Sequence, residues 1–345
     1  MFQPKYTITD KLLNNVTRIY LLVRGLNDRR FPSLILAEME NTARAVSTFA
    51  STSIEGNSLP LTVVKQLLKN RPAQIQDTER EVLNYNQAMV FLRDLLAQDR
   101  QLKLSLPLVL KIHKTVTDGL MPRFESGKLR QKPVWVNDPR TGQPVYLPPD
   151  HEQVDGLMRD LITYVNRRQD EVDPLIIAGV FHKQMVIIHP FMDGNGRTTR
   201  LATKILLARM GLDTFNLFSF ENYYNQDVTR YFSTVGEFGD YLSLTGSIDF
   251  TAWLEYFTQG IIDELQRVSA LLPDLSVEGR YQLDSHLLQI LDLIRQNGYV
   301  TDSLLAQHTS RAKATRTLDF KRLLDLGLIE RQGGGRSTYY TMRVA

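Results

Sequence analysis

The chain has 345 residues, room for two or three domains, and its 43% hydrophobic and 23% charged residues are an ordinary balance for a soluble globular protein. Its 41 Lys/Arg exceed its 38 Asp/Glu by only three, too little by itself to argue for nucleic acid, and zero cysteines exclude disulfides and cysteine-ligated zinc. No apolar run approaches the ~18 to 20 residues of a membrane span, and the opening MFQPKYTITDK is too polar for a secretory signal, so a cytoplasmic protein without a membrane partner is expected.

Residues 10 to 30 and 33 to 50 read as helices, the first with Leu12, Val16, Ile19 and Val23 on one face, the second capped by Ser33. The second runs into Ser51-Thr52-Ser53-Ile54-Glu55-Gly56-Asn57, a helix end whose Gly56 and Asn57 tolerate the left-handed conformation. Glu55 then stands at the unfavourable end of the helix dipole and, taken alone, reads as a solvated surface acid. Pro60 opens another helix, and 79 to 97 forms a long one with Val82, Tyr85, Met89, Leu92 and Leu96 on one face. Pro107 to Asp118 is a further helix, in which His113 reads as packed or exposed rather than as a ligand.

From Arg123 to Pro149 the helical pattern stops. Val134-Trp135-Val136 and Val145-Tyr146-Leu147 flank the turn-rich Asn137 to Gly142 and predict a β-hairpin. Asp150 to Arg168 is a helix with Asp150 as N-cap and Gln153 completing a capping box. Asp173-Pro174 starts the next helix, whose apolar run Leu175 to Ile188 predicts burial and which ends by Pro190. His182, seven residues before His189, reads as a satisfied core histidine because no further Cys or His lies nearby.

The densest chemistry lies in Ile188 to Arg200, IHPFMDGNGRTTR. A second helix starts near Asn195-Gly196 and stops before Gly211, so the loop delivers its glycines to a helix N-terminus, where free backbone N–H groups and the positive dipole end suit a phosphate. Arg197 and Arg200 stand in that first turn, where cations oppose the dipole by roughly 0.3 to 1 kcal/mol each, and this local conflict calls for a compensating anion. Asp193 can bridge a hard cation such as Mg²⁺ to phosphate oxygens, although an Asp before Gly is also a common turn former. His189 can serve as a general base near neutral pH. Downstream, Tyr223, Tyr224, Tyr231 and Phe232 form an aromatic cluster, and Asp249 to Leu272 a long amphipathic helix.

Residues 273–280 read as a linker, and 281–345 as a separate small module of three helices, 285–296, 301–308 and 311–326, followed by a hairpin around Gly333-Gly334-Gly335-Arg336. That order resembles a winged helix with Arg331 to Tyr340 as the wing. From Arg311 to Arg343 there are eight Lys/Arg against three Asp/Glu, which leaves open DNA binding or a role in dimerisation or target docking.

His189-Pro190-Phe191-Met192-Asp193-Gly194-Asn195-Gly196-Arg197-Thr198-Thr199-Arg200 matches every position of the HPFx(D/E)GN(G/K)RxxR signature, nine specified positions in twelve. The chain thereby resembles the Fic family, whose typical members transfer AMP from ATP to a protein hydroxyl. The resemblance implies a mainly α fold, a Fic-type helical bundle over 106–272 with a β-hairpin flap, preceded by a helical region 1–105 and followed by the winged-helix-like module. It implies His189 as the base, Asp193 as the Mg²⁺ ligand, and Asp193, Gly194, Asn195, Gly196, Arg197, Thr198, Thr199 and Arg200 around the phosphates of Mg-ATP. Phe191 would anchor the loop, Val134, Trp135, Val136 and Asn137 would lie against the nucleotide, and the flap 134–147 would dock the target protein by β-augmentation. Tyr231-Phe232 falls where many Fic proteins carry Tyr-Tyr near adenine.

Ser51-x-x-x-Glu55-Gly56-Asn57 resembles the inhibitory (S/T)xxxE(G/N) motif of the self-inhibited class. There the glutamate pairs with the second loop arginine, here Arg200, and occupies the space of the γ-phosphate. The expected activity is therefore AMP transfer from Mg-ATP to a Ser, Thr or Tyr hydroxyl of a target or of the chain itself, restrained in cis by Glu55. Removal of AMP by the same site, and a DNA-binding regulator with a Fic-like sensor core, are the alternatives, and a homo-oligomer is compatible with all three. Gly196 favours AMP transfer over phosphate transfer, since the phosphate-transferring relatives carry Lys there.

Overall fold

Short, well-bounded apolar stripes separated by Gly and Pro make this a helical chain. The computed structural model describes residues 2–29, 33–70, 72, 74–138, 141–168, 171–212, 216–272, 284–325 and 328–342, with the side chains of Ser33, Leu34, Ile35, Ala37, Glu38, Arg295 and Arg336 outside the description. The expected linker 273–280 lies outside the described residues. The chain divides into two compact units, 1–30 with 38–272, and 31–37 with 273–345.

The first unit runs α1 (Asp10–Asn27), α2 (Ser33–Ile54), α3 (Leu61–Lys69), α4 (Asp77–Gln98), α5 (Leu106–Val116), β1 (Val136–Asn137), β2 (Pro144–Leu147), α6 (His151–Arg168), α7 (Pro174–Ile188), α8 (Asn195–Ala208), α9 (Phe220–Gln226), α10 (Val228–Val235), β3 (Gly239–Asp240), α11 (Tyr241–Leu244) and α12 (Thr251–Leu271). At its centre stands α7, buried on nearly every face, as its uninterrupted apolar run requires. Its start is set as the sequence predicts: Asp173 caps it, accepting from the Leu175 amide at 2.8 Å, with Pro174 in the first turn. Helices α6, α8 and α12 pack around it.

The hairpin forms in antiparallel register, Val136 opposite Tyr146 and Asn137 opposite Pro144, with an irregularity between Val136 and Asn137. Strand β2 then pairs in parallel with β3, Tyr146 opposite Gly239. The strand order β1-β2-β3 leaves β1 at the open edge. Tyr146 points inward, and its hydroxyl donates to the Ile187 carbonyl at 3.1 Å, which ties the hairpin to the end of α7.

The second unit carries α13 (Ser285–Asn297), α14 (Asp302–His308), α15 (Lys313–Asp325), β4 (Ile329–Gln332) and β5 (Tyr339–Met342). The two strands pair antiparallel, Ile329 opposite Met342. Its own apolar core includes Leu287, Ile290, Leu291, Phe320 and Leu323. Among the described residues, no helix is long and apolar enough to cross a membrane.

Candidate active site

The loop between α7 and α8 is held by hydrogen bonds and packing from the residues around it. His189 caps α7 in the left-handed region, φ 49°, a strained choice for a non-glycine residue. Its amide donates to the Met185 carbonyl at 3.0 Å, and its own carbonyl accepts from Arg130 Nε at 2.8 Å. Arg130, 3% exposed, also donates to the carbonyls of Pro149 and Lys132 and receives support from its backbone amide on Pro190. One buried guanidinium therefore staples the flap flank to the loop, a role that a lone Arg before the hairpin did not signal. Phe191 is fully buried and stacks on His113 with centroids 3.8 Å apart. His113 Nε2 lies 2.9 Å from the Asp193 carbonyl, and its Nδ1 accepts from the Gly127 amide. The packed histidine is thus a support for the loop.

Asn195 closes the turn. Its side-chain oxygen accepts from the Phe191 amide and its nitrogen donates to the Phe191 carbonyl, both at 2.9 Å. Gly194, φ 74°, is the N-cap of α8, and a Cβ there would meet Thr117 Cγ2 at 2.9 Å. The first turn of α8 consequently presents its amides to the loop mouth, as read from the sequence.

Around that turn sit two guanidinia and three carboxylates. Arg200 is fully buried; its Nη2 donates to Glu55 Oε1 at 2.7 Å and to the Ser51 carbonyl at 2.9 Å, and its Nε to Ser51 Oγ at 2.8 Å. Burial opposes its charge, but Glu55, Tyr231 and Tyr85 outweigh that and raise its pKa further. Glu55 reaches it from the turn that ends α2, where Gly56 alone takes the left-handed conformation, φ 94°. Asn57, expected as a second left-handed residue, uses its side chain instead: Nδ2 donates to the Thr78 carbonyl at 2.9 Å and to Glu81 Oε2 at 2.7 Å. Glu55 Oε1 lies so close to Gly196 that a Cβ there would stand 2.1 Å away.

Arg197, 5% exposed, pairs with Glu81 Oε1 at 2.6 Å and Asp193 Oδ1 at 3.1 Å. Burial raises the Glu81 pKa, countered by Arg197 and the Asn57 hydrogen bond. Glu81 escaped the sequence reading because a glutamate in a long amphipathic helix looks solvated; only the fold brings it to the loop. Arg197 Nε, Thr198 Oγ1, Thr199 Oγ1 and Arg200 Nη1 are buried without a partner among the described residues, the pattern of a cradle shaped for a polar group.

His189 is pushed down to about 4 by burial, so its imidazole is neutral at pH 7. Its Nδ1 lies 3.3 Å from the Val186 carbonyl, a contact that puts the proton on Nδ1 and leaves Nε2 free to accept. His182 is fully buried between Tyr231 OH and Thr203 Oγ1, each at 3.1 Å, a core histidine as read. Tyr231 is itself buried and stacked on Tyr224 at 4.4 Å, with Phe232 partly exposed beside it. Of the flap residues, Val134 and Val136 are half-buried while Trp135 and Asn137 are exposed. Asp193 has a side chain 67% exposed at the loop mouth, and no group of three or more His, Cys, Asp or Glu able to hold a metal occurs among the described residues. That donor set suits only a cation completed by substrate oxygens and water, as Mg²⁺ commonly is.

Residues 103–207 match the profile of the Fic/DOC family. The chain is 32% identical over 167 residues to the protein adenylyltransferase Fic of Drosophila grimshawi, covering 47% of this chain and 32% of that one. With the protein adenylyltransferase Fic of Aedes aegypti it shares 30% over 218 residues, covering 58% and 42%. The chain thus spans well under half the length of these curated relatives. A Fic family protein from Desulfovibrio desulfuricans G20 superposes with a TM-score of 0.68 at 21% identity, covering 99% of this chain and 98% of that one. Fic-1 (residues 134–508) from C. elegans superposes with a TM-score of 0.58 at 21% identity, covering 75% and 72%. At those identities the superpositions speak to fold. The complete loop signature, residues 189–200, falls within the 103–207 segment that matches the Fic/DOC family.

Proposed function

We propose that this protein is an adenylyltransferase that moves AMP from ATP to a protein hydroxyl and is restrained in cis by Glu55. The observation that carries the reading is the Arg200–Glu55 pair seated over Gly196, beside a helix N-terminus with unpartnered buried donors. In the proposed reaction the target hydroxyl oxygen attacks the α-phosphorus, the bond to the β-phosphate oxygen breaks, pyrophosphate leaves, and the hydroxyl proton passes to His189 Nε2. The α8 amides and Arg197 hold the phosphates, and Arg200 takes the γ-phosphate once Glu55 withdraws. Asp193 would hold Mg²⁺, which supplies charge neutralisation of the triphosphate.

The supporting electrostatics are simple. Three carboxylates, Glu55, Glu81 and Asp193, surround two guanidinia, so a triphosphate entering the resting site meets a net negative cradle. Withdrawal of Glu55 removes that excess. The target segment is proposed to add to the open edge of β1, since β3 occupies the far edge of β2. For residues 281–345 the winged-helix reading remains our proposal. Arg311 pairs with Asp319, Arg316 with Asp302 and Arg322 with Asp284, and this internal neutralisation favours protein docking or self-association over DNA.

The test offers purified wild type, Glu55→Gly and His189→Ala to Mg²⁺ and ATP labelled on the α- or the γ-phosphate. Entry of α-label into Glu55→Gly, less into wild type and none into His189→Ala is expected. Entry of γ-label alone would make the protein a phosphotransferase and sink the reading.

A further inference from the structure

Between α2, α4 and α8 lies a groove that Leu212, Asn216 and Phe218 also line. It is a partly open cleft. Its walls are apolar, built from Met89, Leu96, Leu207, Leu212 and Phe218, and its polar lining is Glu40, Arg44, Arg93, Lys204 and Asn216. Three cations face one carboxylate there. Arg93 pairs with Glu40 at 3.3 Å and with Asp94. Arg44 donates to Asn41 Oδ1 at 2.9 Å, and its Nε is buried with no partner among the described residues. Two neighbouring guanidinia, one with an orphaned donor, above an apolar floor complement a ligand with one anionic head and a short apolar body.

Lys204 gives this groove a connection to the catalytic loop. Its Nζ lies 3.0 Å from Oε2 of Glu221, which is completely buried. The other Glu221 oxygen accepts from Tyr85 OH at 2.8 Å, the buried Tyr85 hydroxyl feels the charges of both Glu221 and Arg200, and Arg200 Nε donates to Ser51 Oγ at 2.8 Å. Ser51, Tyr85, Glu221 and Arg200 all have 0% exposure. A cluster of buried polar groups therefore lies between the groove and the guanidinium that Glu55 holds, and in such a medium a displaced charge at one end is felt at the other.

We propose that the groove between α2, α4 and α8 is a regulatory site for a small amphipathic carboxylate, whose head group binds Arg44, Arg93 and Lys204. The bound anion competes with Glu221 for Lys204. Glu221, left with the neutral donors Tyr85 and Ser219 alone, then draws Arg200, the cation at the far end of this buried network, inward on the Tyr85 and Ser51 side, and loosens its hold on Glu55. This coupling rests on the adenylyltransferase reading, whereas binding in the groove does not.

The experiment is calorimetry on the full chain with decanoate, decanol and acetate as probes. Decanoate is expected to bind, with the neutral alcohol and the short acid each at least about ten-fold weaker. Arg44→Gln weakens decanoate about ten-fold, and Ala208→Leu, which fills the groove floor, abolishes binding, with circular dichroism confirming that both variants are folded. Absence of decanoate binding at millimolar concentration, or equal binding of decanol, overturns the site. With decanoate saturating, wild type binds ATP several-fold more tightly, Glu55→Gly shows no change, and ATP tightens decanoate by the same factor. Unchanged ATP affinity in wild type overturns the coupling while the groove stands. If Glu55→Gly itself fails to bind ATP, the nucleotide reading falls and decanoate binding alone decides the groove.

Discussion

Arg200 is the residue on which the site turns. A fully buried guanidinium must keep a partner, because leaving it unpaired costs several kcal/mol, so Glu55 can withdraw only when another anion takes its place. Glu55→Gly removes the competitor and is expected to raise ATP affinity at least ten-fold, about 1.4 kcal/mol, in a titration against wild type; equal affinities would sink the self-inhibition reading. His189→Ala is expected to lower transfer by about 10² to 10⁴-fold while leaving ATP binding intact. Because burial holds the His189 pKa at about 4, the group is already deprotonated at neutral pH. The rate should therefore be flat in pH from about 5.5 to 8 and fall only as the pH approaches about 4. An inflection near the ordinary histidine value would remove His189 from the role of base. Glu81→Gln leaves the buried Arg197 with Asp193 alone and should destabilise the fold by about 1 to 3 kcal/mol in urea unfolding.

At the scale of elements, the loop works because its backbone is closed on itself before any ligand arrives. Asn195 satisfies both polar groups of Phe191, so Asn195→Ala loses two buried hydrogen bonds and leaves two backbone groups unpaired. A loss of about 2 to 4 kcal/mol is expected, together with weaker nucleotide binding, and a variant of unchanged urea midpoint would contradict it. Much of this was legible: Asp173-Pro174, the apolar run to Ile188 and the glycines at α8 are local signals, and they place loop and helix where the structure has them. The hairpin was legible too, from two apolar runs around a turn. Its third strand was not, since Gly239–Asp240 is a two-residue pairing nearly a hundred positions away with no pattern of its own.

Across the whole molecule, the histidines couple stability to pH. Burial lowers the pKa of His113 and His189 to about 4, and that of His182 well below its ordinary value. The unfolded chain takes up protons on these side chains as pH falls through about 6.5, whereas in the folded chain His113 and His189 do so only near about 4 and His182 only well below its ordinary value. Below 6.5 the unfolded state thus binds more protons, and stability falls with pH by up to about 1.4 kcal/mol per unit for each histidine. Urea midpoints at pH 7 and pH 5 measure this directly, and a midpoint that rises on acidification would contradict the burial of these rings in the folded state.

By itself the sequence determined the parts that are contiguous: the loop signature, the helix starts and stops, the Glu55 motif and the family they resemble. These are short-range properties, set by backbone conformation and by which side chains can satisfy a helix end. Tertiary structure alone decided which distant charges meet. Glu81 meets Arg197, Arg130 meets the His189 carbonyl, and Tyr85 and Lys204 meet at Glu221. Each of these residues sits in a helix or flank whose local pattern is satisfied equally well by solvent or by core. Only packing removes them from water, and it is that removal which makes their charges and hydrogen bonds matter.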